Sequence, residues 1–380
     1  MKCGSGYTFS KRFQGNKNDR DIPFYKVSDM NNLDNKKYMY SSSNYVSQEV
    51  LNDKIKGAVF PKYATIFPKV GMTIHTNKKR ILSRESSFDN NIMAIWSNDE
   101  NSLLNTYLYE IFCKQVELSD ISSNANPPSI ASDKLGNMRI PIPPREVQQK
   151  IVEDIETIEK NEKIVNGHIG VLKNKIQDIV NASISSCADY TPLNKLSEIN
   201  PSRAELQRVD DAIMVSFIEM ASVSENGYIV EKVDKRLSRL LQGGYTYFRD
   251  GDIIIAKITP CMENGKCALV SDLTNGIGMG STEFHVVRAD ETQLLSRFAF
   301  LVLNREEVRA QAKAIMTGKS GHRRVPSEFY EDFTFPMIPI DEQKDVIAKV
   351  EQLEQQIASL EESIKDSGEQ KSAILKKYLE

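Results

Sequence analysis

A chain of 380 residues, 40% hydrophobic and 27% charged, has the composition of a globular protein of two or three domains, which excludes fibrous and disordered classes. It holds no apolar run of the roughly 18 residues that a membrane span needs, and its opening Met1-Lys2-Cys3-Gly4-Ser5-Gly6-Tyr7 lacks the apolar stretch of a signal peptide. Its five cysteines, Cys3, Cys113, Cys187, Cys261 and Cys267, follow neither a disulfide nor a zinc pattern, so free thiols in a cytoplasm are expected.

The net charge of −3 is unevenly spread. Residues 1–144 hold 19 Lys and Arg against 14 Asp and Glu, residues 145–186 hold 6 against 7, residues 187–340 hold 18 against 21, and residues 341–380 hold 6 against 10. A DNA-binding protein needs a local basic face rather than a high overall pI, so this balance permits nucleic-acid binding without arguing for it.

In chain order, residues 1–143 show short β-type runs broken by Gly, Asn and Asp, then a helical stretch near 103–114. The basic candidates of this segment are Lys11, Arg12, Lys17 and Arg20, followed by Lys78-Lys79-Arg80. Asn126-Pro127-Pro128-Ser129 resembles the N-P-P-Y/F motif of amino-methyltransferases. In those enzymes the aromatic stacks on a flipped base, but Ser129 stands at that position and no glycine-rich cofactor strand precedes it. A loop is predicted there.

From Pro144 to residue 186, apolar residues recur at alternating steps of four and three: Ile151, Ile155, Ile158, Val165, Ile169, Leu172, Ile176 and Ile179, with Glu162 as the interruption. Such spacing means a helix packing along a seam, about 40 residues and so roughly 60 Å long. Pro144 fixes its start, with acidic residues in its first turn.

Residues 187–338 repeat the β-type character. Ile253–Ala256 and Phe284–Val287 are predicted buried strands, Asn264-Gly265 and Asn275-Gly276 are turn signals, and a helical stretch closes near 294–314. Gly276-Ile277-Gly278-Met279-Gly280 precedes no amphipathic helix, so it is read as a hairpin loop rather than a nucleotide-binding turn. Thr317-Gly318-Lys319-Ser320 copies the tail of a P-loop, but Lys313 stands where glycine is required. With His322, Arg323 and Arg324 it forms a basic loop suited to phosphate and base-edge contacts, and Lys257, Asn264 and Lys266 flank a second candidate turn. The four histidines form no metal or nucleophile set by spacing, and no catalytic constellation is found.

Residues 339–380 bring back the heptad spacing at Val346, Val350, Leu353, Ile357, Leu360, Ile364, Ile374 and Tyr378, broken at Ser367 and Lys371 on either side of Gly368. This is an internal repeat. Ile140-Pro141-Ile142-Pro143-Pro144-Arg145-Glu146-Val147-Gln148-Gln149 recurs 195 residues on as Phe335-Pro336-Met337-Ile338-Pro339-Ile340-Asp341-Glu342-Gln343-Lys344. Leu103-Leu104 resembles Leu294-Leu295, and Phe67-Pro68-Lys69-Val70-Gly71 resembles Tyr247-Phe248-Arg249-Asp250-Gly251, at drifting offsets. Two helices in matching register most simply pair on each other; a separate partner for each, or self-association of one, is the alternative.

Two globular halves, each followed by a proline-rich lead-in and a long heptad helix, resemble the specificity subunits of Type I restriction–modification enzymes over essentially the whole chain. Gln148 and Gln343 match the glutamine that opens each conserved helix in that family, Gly321–Phe329 resembles its polar-basic loop, and Asp21–Met30 resembles the early strand of a target-recognition domain. The chain departs from the pattern at its start. Thr191–Ile199 supplies a leading strand to the second half, whereas nothing comparable precedes Gly4.

The resemblance implies an α/β (α+β) fold with two pseudo-repeated target-recognition domains, 1–143 and 187–338, separated by a pair of long antiparallel coiled-coil helices, 144–186 and 339–380. It implies a non-catalytic subunit that reads double-stranded DNA in two short, different blocks. Partners would be two adenine-methylating modification subunits and restriction–translocation subunits, which carry the S-adenosylmethionine, ATP and magnesium; this chain itself binds no cofactor, and no membrane partner is implied. The alternatives are a specificity subunit of a Type IIB-like or methylation-only system, the DNA-recognition fragment of a fused methyltransferase, and a coiled-coil scaffold with no nucleic-acid role.

Overall fold

The computed structural model describes residues 1–8, 14–15, 22–54, 59–319 and 321–379. By compactness the chain divides into two units, Met1–Val165 with Glu362–Glu380, and Asn166–Glu361. The division falls inside the long helices, because each helix is held along part of its length by its own globular half.

The first unit opens with β1 (Lys2–Ser5), β2 (Ile22–Tyr25), β3 (Tyr38–Met39), β4 (Tyr45–Val46), α1 (Gln48–Lys54), β5 (Thr65–Pro68), β6 (Arg80–Leu82), β7 (Ser87–Phe88), β8 (Ile92–Trp96), α2 (Asn105–Gln115) and α3 (Ser132–Gly136). One sheet has the order β1-β8-β5-β6-β3 and a smaller one β4-β2-β7. The β5 and β8 runs Thr65-Ile66-Phe67-Pro68 and Ile92-Met93-Ala94-Ile95 are buried on both faces, which is why they read as continuous apolar stretches. α2 buries Tyr107, Leu108, Ile111 and Phe112, one face of a 3.6-residue period, against Phe67 and Ile95.

β1 pairs antiparallel with β8 over all four residues, from Lys2↔Trp96 to Ser5↔Met93. Lys2 and Cys3 thus belong to a strand, so the expectation that nothing comparable to Thr191–Ile199 precedes Gly4 holds only in part. The leading segment of the second half resolves into two strands, β9 (Tyr190–Pro192) and β10 (Ser197–Ile199), and β10 lies on its sheet as β1 lies on β8. Only β9 lacks a counterpart among the described residues of the first half.

The second unit continues with β11 (Met214–Ile218), β12 (Val233–Arg236), α5 (Leu237–Leu241), β13 (Thr246–Arg249), β14 (Ile253–Ala256), β15 (Cys267–Leu269), β16 (Ile277–Gly280), β17 (Phe284–Ala289), α6 (Ser296–Leu303), α7 (Glu306–Ala314), α8 (Glu328–Glu331) and β18 (Thr334–Pro336). Its sheets have the orders β10-β17-β14-β15 and β12-β11-β16-β13, and β9 pairs with β18. The predicted strands at Ile253–Ala256 and Phe284–Val287 are neighbours in the first of these, Ile254 facing Val286. By pairing, β5 corresponds to β14 and not to β13, so the sequence likeness of Phe67–Gly71 to Tyr247–Gly251 does not mark equivalent strands. The glycine-rich stretch expected as a hairpin loop is the central strand β16. A side chain at Gly278 would lie 2.1 Å from the Phe248 ring and one at Gly280 2.5 Å from the Ile218 carbonyl, so glycine here admits close packing inside a sheet. The buried Arg288 adds a polar anchor, with Nε and Nη2 on the Asp252 carboxylate at 2.8 and 2.7 Å and Nη1 on Glu205 at 2.7 Å.

The long helices are α4 (Arg145–Ser185), α9 (Ile340–Ile364) and α10 (Ser367–Leu379). The second helical region is thus two helices, interrupted beside the Ser367 and Lys371 positions where the heptad spacing fails. Of the seam residues, Ile151, Ile155, Val165, Ile169, Ile176, Val346, Val350, Leu353 and Ile357 are buried, and Ile158, Leu172, Leu360 and Ile364 are half-buried. At the far ends the buried positions slip by one, to Val180 beside Ile179 and Leu375 beside Ile374, as a straight helix of 3.6 residues per turn drifts from a 3.5 repeat. In the first unit α4 and α10 run antiparallel. Tyr378 donates to Asp154 at 3.3 Å and Lys371 pairs with Glu162 at 2.8 Å, so one index rises as the other falls. The polar interruption of the first seam and the break in the second therefore meet each other.

Each helical region is fastened to its own globular half by one glutamine. Gln148 is fully buried; its Oε1 accepts from the Leu104 amide at 2.9 Å, and its Nε2 donates to the Ser102 and Pro143 carbonyls at 2.8 and 2.9 Å. Gln343 repeats this, accepting from the Leu295 amide at 2.8 Å and donating to the Gln293 and Ile338 carbonyls at 3.0 and 2.7 Å. Both amides use one acceptor and both donors, so the site is filled by glutamine and by no isosteric apolar residue.

Lys79, expected among basic surface residues, is 4% exposed. Its ammonium donates to the Val116 carbonyl at 2.6 Å and to Asn77 at 2.8 Å and lies 5.5 Å from the Phe112 ring centre. Neighbouring Arg80 donates to the Lys79 and Met30 carbonyls. Both bind the fold's own carbonyls and are corrected out of the DNA-facing set.

Gln148→Leu leaves an amide and two carbonyls of a part-buried joint without their partners and should cost roughly 1–3 kcal/mol, read as a lower urea midpoint. Lys79→Met should cost roughly 1–3 kcal/mol by the same measurement, whereas Lys78→Ala should stay within about 0.5 kcal/mol. Equal effects of the two lysine changes would contradict the burial assigned to Lys79.

Candidate nucleic-acid interface

The sequence-predicted basic residues separate into three groups. Lys11, Arg12, Lys17 and Ser320 lie outside the described residues, as does Arg20. Lys79 is buried and Arg80 half-buried, both bonded to the fold's own carbonyls. In the first unit this leaves Lys78, half-exposed, with its ammonium on the Asn31 side-chain oxygen.

The second unit brings several of its candidates to one place. The described residues 317–319 and 321–324 form the arms of a hairpin, in which the Thr317 amide donates to the Arg324 carbonyl at 3.0 Å and the Arg324 amide to the Thr317 carbonyl at 2.8 Å. Positive φ at Gly318 (120°) and Gly321 (82°) allows the tight reversal. The tip presents Lys319 and His322, both exposed.

The hairpin is locked to the sheet on its Arg324 side. The Val325 amide donates to the Lys257 carbonyl and the Lys257 amide to the Glu283 carbonyl, both at 2.9 Å. The Thr259 amide donates to the Arg323 carbonyl at 3.0 Å. Beneath it, His285 is 5% exposed, with Nε2 at 2.8 Å from the Val325 carbonyl and Nδ1 at 3.3 Å from the Asn200 amide. Burial, chiefly, pushes this imidazole below its ordinary pKa, which makes it a neutral strut rather than a charge. A cleft of about 550 Å³ opens between hairpin and sheet, lined by Asn200, Thr246, Lys257, Thr282, Thr317 and Arg324 among others.

The charges around the cleft are not alike. Arg324 is paired side-on with Glu283, Nε at 2.9 and 3.2 Å and Nη2 at 2.6 Å from its oxygens. That hydrogen-bonded pair, ahead of burial, holds the Glu283 carboxyl below its usual range. Arg323 makes one contact of 3.2 Å with Glu263, which also takes Lys313 at 2.7 Å. Lys257 makes no side-chain hydrogen bond or ion pair among the described residues. Asn264 and Lys266 instead tie their turn to neighbouring chain, Asn264 to Glu225 at 2.8 Å and Lys266 to the Met220 carbonyl at 2.9 Å.

Chemically, the cleft offers hydroxyls, an amide, a free ammonium and a guanidinium on fixed backbone, a set suited to phosphate oxygens and base edges. The roles of Glu283 and Glu263 escape the sequence, because a carboxylate among basic residues counts there only against the charge. The Asn126–Ser129 loop is a structural tie: the Gly71 amide donates to the Pro128 carbonyl at 2.8 Å, and Val70 bridges to Ser129. No helix among the described residues is long and apolar enough to cross a membrane.

Comparison with known proteins gives the same direction. Residues 2–174 match the model of the Type I restriction modification DNA specificity domain. The EcoAI specificity subunit of Escherichia coli is 36% identical over 165 residues, 43% of this chain and 28% of that subunit. The EcoEI specificity subunit of Escherichia coli is 32% identical over 165 residues, 43% of this chain and 27% of that one. The matched stretch thus spans just over a quarter of these relatives. The fold is shared with a chain from a structure described as the basis of complex assembly and conformational transition of the type I R-M system. The two are 13% identical with a TM-score of 0.54, over 94% of this chain and 91% of that one. Residues 2–174 are thus similar to the Type I restriction modification DNA specificity domain, and the same part of the chain is similar to the specificity subunits of Type I restriction–modification systems.

Proposed function

We propose that this chain is the DNA-reading, non-catalytic subunit of a Type I restriction–modification complex, and that it reads a bipartite, asymmetric target. The observation that supports this best is the duplicated frame. Gln148 and Gln343 make the same three hydrogen bonds, each joining a long helix to its own mixed α/β half. Two equivalent frames carrying unlike loops imply two readers of unlike sequence, here residues 1–143 and 187–338, with the helices 144–186 and 339–380 as their support.

Each reader would take a short block of double-stranded DNA, largely through the major groove, where all four base pairs are distinguishable. The bases between the blocks would go unread. The near-repeat offers two equivalent docking surfaces, which suits two modification subunits that methylate adenine. Restriction–translocation subunits would join the same assembly in the cytoplasm, and S-adenosylmethionine, ATP and magnesium would be held by those partners.

The test is a map of methylated adenines in host genomes with and without this gene. The expected result is loss, on deletion, of methylation at one motif made of two short blocks of different sequence separated by a fixed unread spacer. A continuous motif, or an unchanged map, overturns the reading.

A further inference from the structure

We propose that Arg324 is a specificity-determining residue, its outer guanidinium fork braced by Glu283 to read a guanine edge in one half-site. This rests on the chain being a DNA reader. A guanidinium has five N–H groups, and Glu283 takes one from Nε and one from Nη2. Nη1 has a single long contact, 3.4 Å to the His322 carbonyl. The end-on pair, one N–H from Nη1 and one from Nη2, therefore remains for a ligand. Its backbone is fixed as well, since Arg324 is bridged to both Thr317 and Ile258.

Two parallel donors fit two kinds of paired acceptor, O6 and N7 of guanine or two oxygens of a phosphate. The brace favours the base edge. A phosphate accepts hydrogen bonds from many directions, and Lys257 on the same cleft supplies a point charge that makes no side-chain hydrogen bond or ion pair among the described residues. A base edge demands a fixed plane, which a bidentate carboxylate imposes on the planar guanidinium. Arg323, with one contact to a Glu263 shared with Lys313, has no such brace.

The test uses the chain assembled with its modification subunits. Binding is measured to a duplex carrying the mapped target and to duplexes changed at single base pairs of each half-site, over a salt series. Arg324→Lys should weaken target binding about 10–100-fold and abolish discrimination at one G·C pair, leaving the salt slope unchanged. Glu283→Gln, which keeps the shape and loosens the brace, should reduce discrimination at that same pair. Lys257→Ala should weaken all duplexes alike and lower the salt slope by about one. If Arg324→Lys stays as selective as the wild type, the assignment is overturned alone. A uniform loss across all duplexes with a lower salt slope in Arg324→Ala assigns the fork to phosphate and also overturns it. A wild-type complex with no sequence preference overturns the reader function together with the assignment.

Discussion

The structure depends on a buried side-chain amide at the fourth position of each long helical region. A helix start leaves backbone groups without intrahelical partners, and the chain arriving from a globular half has its own. Gln148 and Gln343 satisfy both sets at once, each holding the amide that precedes a short helix and the carbonyl of the proline-rich lead-in. With three bonds at 2.7–3.0 Å and no access to water, the angle at which helix leaves domain is set by covalent geometry and hydrogen bonding. Loops far from this joint are free to differ, and between the two halves they do.

The same frame is filled differently in its two copies. Glu159 and Glu354 occupy matching positions, 195 residues apart, and each binds a cation of its own unit. Glu159 takes Lys37 at 2.7 Å, an ammonium shared with Glu110, and Glu354 takes Arg297. Burial alone would lower the Lys37 pKa, but the two carboxylates outweigh it and hold it above its ordinary value. One turn further along, the copies part company. The first unit has Glu162 paired with Lys371, while the positions 195 residues away from these are Ile357 and Ile176, both buried and lining one cavity. A polar pair at a seam position costs stability relative to an apolar one but rejects misaligned pairings, which is how coiled coils fix register. The repeat thus explains why the two polar positions lie where the seam breaks.

Much of this was legible in the sequence because it is periodic. Heptad spacing depends on one helix at a time, so the seam residues from Ile151 to Ile364 came out buried or half-buried, with drift only at the ends. The repeat marked Gln148 and Gln343 as equivalent, though not as clamps, since two of the three partners of each lie 44 to 50 residues upstream in sequence and meet them only in the fold. Charge was the poorer guide. Lys79 and Lys78 are indistinguishable as letters, yet one ammonium is buried on a carbonyl and the other lies at the surface. The stretch Gly276–Gly280 failed for a related reason: glycine signals both turns and close packing, and only the ring of Phe248 decides between them.

The division of labour that results is physical. Backbone-directed bonds from buried amides and from Arg288 fix the scaffold, and these are expensive to lose because the groups left behind are out of water. The strands of the hairpin near 317–324 are joined to each other by main-chain bonds, and the side chains of Arg323 and Arg324 add ion pairs to Glu263 and Glu283. The plane of Arg324 has to be set by something other than packing, and the carboxylate of Glu283 sets it from the neighbouring strand end.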